Sequence, residues 1–154
     1  MRTGELGFWW RSLGGPPPAR APLGAPAEAD VAIVGAGYTG LWTAYYLKRA
    51  QPSLEVVVLE REHAGFGASA RNGGWLSGFF SGPPRIYERR GGRAGYVALQ
   101  RTMFATVEEV AAVLAEHAID AELVRGGALT LALGRAQALR LQAEVAHGRA
   151  LGLN

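Results

Sequence analysis

The sequence predicts an α/β fold built around one parallel βαβ unit, and three observations carry that prediction. Two short apolar, β-branched runs, DVAIV from Asp30 and EVVVLE over residues 55–60, have the composition of buried parallel strands. Between them a glycine-punctuated turn opens the stretch YTGLWTAYYLKRA. There Leu41, Tyr45 and Lys48, and also Trp42 and Tyr46, recur at helical spacing. Strand, turn, helix and strand fall within about 30 residues, which is the length of a βαβ unit, and its crossover is expected to be right-handed. Two strands alone leave an open edge and uncovered apolar surface, so the unit reads as incomplete.

The bulk properties agree with a folded chain. At 154 residues, 49% hydrophobic and 19% charged, the sequence is neither disordered, collagen-like nor coiled-coil throughout. Its 22 glycines and 8 prolines fall mostly in clusters. The absence of cysteine excludes disulfides, thiolate metal sites, iron–sulfur clusters and a cysteine nucleophile, and permits a reducing cytoplasm, the expected location. Redox chemistry here needs a cofactor. The net charge of +3 comes from basic residues spread along the chain, with Lys48 the sole lysine, so nucleic acid is not an expected partner. No apolar run approaches the ~20 residues of a membrane span, and the opening MRTGELGFWWRSLGG lacks the apolar core of a signal peptide.

Residues 1–29 form a leader rich in proline, glycine and alanine. It contains Phe8, Trp9, Trp10 and the run Pro16, Pro17, Pro18, a composition that favours extended polyproline-like backbone. Its aromatics are expected to dock on a neighbouring surface. Order begins at Asp30, and the helix after the glycine turn ends at Gln51-Pro52, because the residue before proline avoids the α region. From Arg61 to Pro84 glycine, serine and aromatics alternate without period, as in a long functional loop or a set of short turns. Residues 94–118 return to helical spacing, with Val97, Arg101, Phe104, Val107, Ala111 and Leu114 on one stripe. ELVRGGALTLAL then predicts two short strands about Gly126-Gly127, and RAQALRLQAEVAHGRAL a final helix.

The chemistry concentrates in Gly35-Ala36-Gly37-Tyr38-Thr39-Gly40, a G-x-G-x-x-G between a predicted strand and a predicted helix. In this Rossmann-like arrangement Gly35 makes the tight turn, Gly37 lets backbone approach a pyrophosphate, and Gly40 lets helix and strand pack closely. The phosphates face the unpaired N–H groups and partial positive charge of the helix N-terminus. Glu60 ends the second strand 20 residues after Gly40, where a carboxylate accepts hydrogen bonds from an adenosine ribose and repels a 2′-phosphate. Arg61 is expected to flank the adenine. The competing reading is a glycine-rich turn followed by an incidental strand-end glutamate.

The fingerprint alone serves FAD and NAD equally, since both carry ADP. The following loop, Gly65-Phe66-Gly67-Ala68-Ser69-Ala70-Arg71-Asn72-Gly73-Gly74, adds hydroxyl, guanidinium and amide groups beside glycine-exposed backbone, suited to an extended phosphorylated cofactor. On its own, GASAR could equally be a surface loop whose serine caps a short helix. His63, His117 and His147 stand in no ligand spacing, so no metal site is expected. Glu108-Glu109 reads as a solvated helix face.

The stretches ADVAIVGAGYTGLWTAYYLK, VVVLERE and GFGASARNGGW closely resemble the N-terminal portion of the D-amino-acid-oxidase-like (DAO) family of FAD-dependent oxidoreductases, in particular its bacterial γ-glutamylputrescine-oxidase-like branch. The leader FWW…GPPPARAPLGA and AIDAELVRGGALTLAL are similar to that branch too. The resemblance implies FAD as cofactor, a small amine or amino acid as substrate, and hydride transfer to the flavin from the carbon next to nitrogen. Carried over by position, Gly35, Ala36, Gly37, Tyr38, Thr39 and Gly40 hold the pyrophosphate turn and Glu60 the ribose. Gly67, Ala68, Ser69, Arg71 and Asn72 line the diphosphate–ribityl side, while Gly73 and Gly74 bring backbone near the isoalloxazine ring.

On this reading residues 30–84 are the N-terminal part of an incomplete Rossmann-like FAD-binding domain. Residues 85–154 begin an α+β substrate domain that stops early, as in a fragment. Members of the family are much longer, so catalytic residues and oligomeric state go unassigned. The alternative is a truncated, non-catalytic FAD- or ADP-binding fragment.

Overall fold

A computed structural model describes residues 7–79 and 81–153. The order of elements is α1 (Phe8–Ser12), β1 (Val31–Val34), α2 (Tyr38–Ala50), β2 (Val56–Leu59), a 3-10 turn (Ala68–Ala70), α3 (Pro84–Glu116) and α4 (Arg135–Ala150). The chain divides into two compact units, Met1–Trp75 and Leu76–Asn154.

The first unit contains the expected βαβ. β1 and β2 pair in parallel, with Val31 opposite Val56 and Val34 opposite Leu59. Both ends of the pairing are tied. At the start the Glu55 amide donates to Asp30 Oδ2 at 2.7 Å, and Lys48, from the last turn of α2, donates to the carbonyls of Pro52 and Leu54 to close the return into β2. At the end the Gly35 amide donates to the Leu59 carbonyl at 2.7 Å.

Along β1 burial alternates: Val31 and Ile33 are half-buried, while Ala32 and Val34 are exposed. The expectation of cover on both faces is therefore met on one face only, where α2 packs. Val34 is 88% exposed, so apolar strand surface stays open in this unit. Leu23, Ala27 and Ala29 of the leader line a cleft with Ala32, Val57 and Leu59.

Within the leader, the expectation of extended backbone is corrected at Phe8–Ser12, which is one turn of helix. Five residues are too few to hold a helix in isolation. The turn forms because its aromatic side chains find partners in the loop that follows β2. The Phe8 and Trp9 rings meet edge to face at 5.1 Å, and Trp10 meets the His63 ring likewise at 5.5 Å. The extended backbone expected of the leader's first six residues lies outside the described residues.

In the second unit the long helix begins ten residues before the expected Ala94, at Pro84, and bends at Gly92, whose φ of 66° and ψ of 177° interrupt it. Its buried side is Tyr96, Gln100 and Val113, with Phe104, Val107, Ala111 and Leu114 half-buried. Arg101, expected on the stripe, is exposed, so the packed face is turned by one position toward Gln100. The Gln100 amide justifies its burial by donating to the Gly78 carbonyl at 2.7 Å. The two strands expected about Gly126-Gly127 are absent: residues 119–132 carry no regular structure. The alternating Leu129, Leu131 and Leu133 are 85%, 69% and 90% exposed. A lone hairpin is marginal without a further strand or helix to bury its apolar face, and no such partner lies against this one among the described residues. Arg125 of that segment forms a two-pronged ion pair with Glu108 at 2.8 Å, and Glu108 and Glu109 are exposed, as expected of a solvated helix face. The final helix occupies Arg135–Ala150, within the stretch expected to be helical.

Candidate cofactor site

The site is built at the C-terminal ends of β1 and β2. Gly35 leaves β1 with φ +101°, a conformation that disfavours any side chain. Gly40 allows the close packing of α2 on the strand: a Cβ there would stand 2.1 Å from the Gly35 carbonyl oxygen and 3.2 Å from Ile33 Cγ2. Gly37 caps α2 in extended backbone, and the first intrahelical bond runs from the Leu41 amide to the Gly37 carbonyl at 3.0 Å. The amides of Gly37, Tyr38, Thr39 and Gly40 thus precede the helix's own bonding and point outward from its N-terminus.

Ala36 is the junction of the site. It is 5% exposed, its amide donates to Glu60 Oε2 at 2.9 Å, and its carbonyl accepts from the Gly65 amide at 2.8 Å. Glu60 Oε1 accepts from the Glu62 amide at 3.1 Å. These bonds, the Ala36 amide foremost, hold the Glu60 carboxyl below its ordinary range. A carboxylate at the tip of β2 is therefore kept ionised and locked to the glycine turn, beside the helix N-terminus.

The third component is the loop after β2. Ser69, in the 3-10 turn, accepts the Tyr38 amide on its Oγ at 2.9 Å, supplying the cap that Gly37 has no side chain to give. A Cβ on Gly37 would stand 2.9 Å from that hydroxyl. The other polar side chains turn inward. Arg71 Nε donates to the Phe66 carbonyl at 2.8 Å and its guanidinium lies 5.1 Å from the Phe66 ring centre. Asn72 Nδ2 donates to the Ser69 carbonyl at 2.7 Å, and its Oδ1 accepts the Gly74 amide at 2.8 Å. Ala68 offers its carbonyl to the Arg71 amide at 3.1 Å. Gly67 and Gly73 have open space where a Cβ would stand, and Gly74 sits at φ +78°.

The glycine turn, Glu60 and Ser69 thus come together at one end of α2, whereas Arg71, Asn72 and Gly74 bond within their own loop and to Trp9. Arg61 does not join them; its Nε pairs with Glu62 at 3.2 Å on an exposed side chain. Thr39 points its carbonyl to the Thr43 hydroxyl at 2.7 Å within the helix. Three positions not expected at the site contact the same loop: Gly7, Trp9 and Trp10. The signal was the aromatic cluster itself, three rings in a stretch with no other apolar periodicity.

The set fits a dinucleotide: a turn with no room for side chains, helix-terminal amides for phosphate, and an ionised carboxylate for ribose hydroxyls. Among the described residues no group of histidine, aspartate or glutamate could hold a metal, and no helix is long and apolar enough to cross a membrane.

Parts of the chain are similar to known proteins. Gamma-glutamylputrescine oxidoreductase of Escherichia coli is 37% identical over 105 residues, 68% of this chain and 24% of the relative. A thiamine thiazole synthase of Emericella nidulans is 46% identical over 52 residues, 34% of this chain and 14% of the relative. A probable oxidoreductase, OrdL, of Haemophilus influenzae is 45% identical over 62 residues, 40% of this chain and 14% of the relative. The chain spans about a quarter, or less, of the length of these relatives. No solved structure gives a significant match. The description "FAD dependent oxidoreductase" (DAO) matches residues 30–154, and the chain belongs to this FAD-dependent family.

Proposed function

We propose that this chain is the cofactor-holding N-terminal part of an FAD-dependent oxidoreductase acting on a small amine or amino acid in the cytoplasm. The observation that carries the reading is the bond between Glu60 and the Ala36 amide, which fixes an ionised carboxylate beside the glycine turn. In this reading Glu60 orients the adenosine ribose, and the amides of Gly37, Thr39 and Gly40 face the pyrophosphate. Ser69 carries its hydroxyl at the same helix end, Arg71 and Asn72 shape the loop along the diphosphate–ribityl side, and Gly73 and Gly74 keep the flavin side free of side chains. Bound FAD supplies a two-electron acceptor for the hydride on the carbon next to nitrogen. The likeness to gamma-glutamylputrescine oxidoreductase over 68% of this chain favours an amine as the hydride source.

A second reading, an FAD- or ADP-binding module without catalysis, is favoured by the sheet. It has two strands, and Val34 is 88% exposed on it. Calorimetry with FAD and ADP, read beside bleaching of the flavin band on anaerobic addition of amines, separates the two. Binding with bleaching supports the oxidoreductase, and binding without bleaching by any amine supports the module. Binding of neither nucleotide to a folded chain removes both.

A further inference from the structure

Helix α1 grips the cofactor loop at three points. Trp10 lies at the loop's entry: its ring meets His63, and its Nε1 would stand 3.7 Å from a Cβ on Gly65. Gly7 lies at the middle, so close that a Cβ would come 2.3 Å from the Ala70 carbonyl oxygen. Trp9 lies at the exit. Its indole N–H donates to the Asn72 carbonyl at 3.0 Å across 63 residues of sequence. The same ring rests against Gly74, where a Cβ would stand 2.6 Å from Trp9 Cζ2 and 2.9 Å from Cη2.

The bond at the exit has a directional consequence. A trans peptide points its C=O and N–H in opposite directions. With the Asn72 carbonyl drawn to Trp9, the Gly73 N–H of the same peptide points away from the Trp9 indole. The Asn72 side chain braces the same turn from within, donating to the Ser69 carbonyl and accepting the Gly74 amide, and Trp9 adds a bond to it from outside the loop. The indole leaves no room for a side chain at Gly74, whose φ of +78° separately favours glycine.

We infer that Trp9 is a positioning residue: it orients the Asn72–Gly73 peptide so that the Gly73 amide is presented as a hydrogen-bond donor to the flavin half of the cofactor. The inference rests on the FAD reading above. It assigns the leader a part in cofactor binding, with the adenosine half left to Glu60 and the glycine turn.

The test uses the full chain with Trp9→Ala and, to guard against misfolding, Trp9→Phe, which retains a ring but no N–H. Affinities for FAD and ADP are measured by calorimetry, and amide exchange of residues 65–74 without nucleotide by mass spectrometry. The expected result is at least a tenfold loss of FAD affinity in Trp9→Ala with ADP affinity changed less than threefold. Trp9→Phe falls between it and the parent, and exchange of the 70–74 amides rises about tenfold in Trp9→Ala while β1 and β2 stay protected. Parallel losses for FAD and ADP, or unchanged FAD affinity, overturn the inference. If the parent chain binds neither nucleotide, the FAD reading fails by itself. The exchange arm then decides whether Trp9 holds the peptide: unchanged exchange in Trp9→Ala overturns that as well.

Discussion

The Glu60 carboxylate accepts the amide of Ala36 at 2.9 Å, joining the tip of β2 to the turn that leaves β1. The bond does two things at once. It closes the βαβ unit at its functional end, and it holds a full negative charge where ribose hydroxyls would arrive. Glu60→Gln retains an acceptor for Ala36 but loses the charge. It is expected to keep most of the stability and lose about tenfold in ADP affinity, because hydrogen bonds to a charged acceptor are worth roughly 1.5–3 kcal/mol against about 1 for neutral ones. Glu60→Ala loses both. Calorimetry with ADP, alongside urea unfolding, distinguishes the pair.

The same bond predicts a pH dependence. Glu60 titrates below its ordinary value in the folded chain, chiefly through the Ala36 amide and then the Glu62 amide. A carboxyl depressed on folding stabilises the native state above its unfolded pKa, near 4.3, and that contribution disappears as pH falls through the lower native value. Urea midpoints of the parent and Glu60→Gln should therefore differ near pH 6 and draw together as the pH falls through the lowered native value of Glu60. A constant gap across that range would show that the Glu60 charge does not contribute.

Gly40 and Gly67 offer a contrast within one motif-rich region. Alanine at Gly40 would place its Cβ 2.1 Å from the Gly35 carbonyl, whereas at Gly67 it would meet nothing within 4 Å. Gly40→Ala should cost at least the ~1–3 kcal/mol of an overpacked site and raise β1 and α2 exchange. Gly67→Ala should unfold at the parent's denaturant midpoint.

Ser69 acts as the cap of α2 from a distance of 31 residues in sequence. Ser69→Ala should therefore destabilise by about 1 kcal/mol, the ordinary worth of an N-cap, and speed exchange in the first turn of α2. Ser69→Asp restores an acceptor at that place, and should recover stability while adding a negative charge that opposes phosphate. Chemical denaturation and ADP titration of the two variants should therefore rank them in opposite orders.

In the second unit Gly92 holds φ 66° and ψ 177° inside α3, a region of backbone that is essentially glycine's alone. Gly92→Ala is expected to cost roughly 1–3 kcal/mol or to straighten the helix. Denaturation monitored by far-ultraviolet circular dichroism reads either outcome, as a lowered midpoint or a gain in helical signal.

What the sequence made legible was local. The strand pair, the glycine turn and α2 follow from residues close in the chain, whose spacing alone sets their geometry: Val31 meets Val56 in the register the two apolar runs imply. The place of Glu60 at a strand end was legible too, but its bond to Ala36 was not, since it depends on how the turn folds back. Alternation in residues 128–133 suggested a strand and none formed, because alternation describes a surface that still needs a partner. Docking of the leader's aromatics was foreseeable from Phe8, Trp9 and Trp10. The helical turn that aims them was not, since it is induced by contact with Ala70, Asn72 and Gly74 rather than by intrinsic propensity.

The central claim is that the glycine turn, Glu60 and the Ser69–Gly74 loop together hold FAD. Its most direct test is a calorimetric titration of the folded parent chain with FAD, beside the same titration of Gly37→Asp, with circular dichroism establishing that both are folded. At Gly37 a Cβ would stand 2.9 Å from the Ser69 hydroxyl, and an aspartate adds charge at the helix N-terminus where the pyrophosphate would lie. One FAD bound per parent chain, and at least a hundredfold weaker binding in the folded variant, are the expected results. Equal FAD affinity in the two proteins, or none in a folded parent, would contradict it.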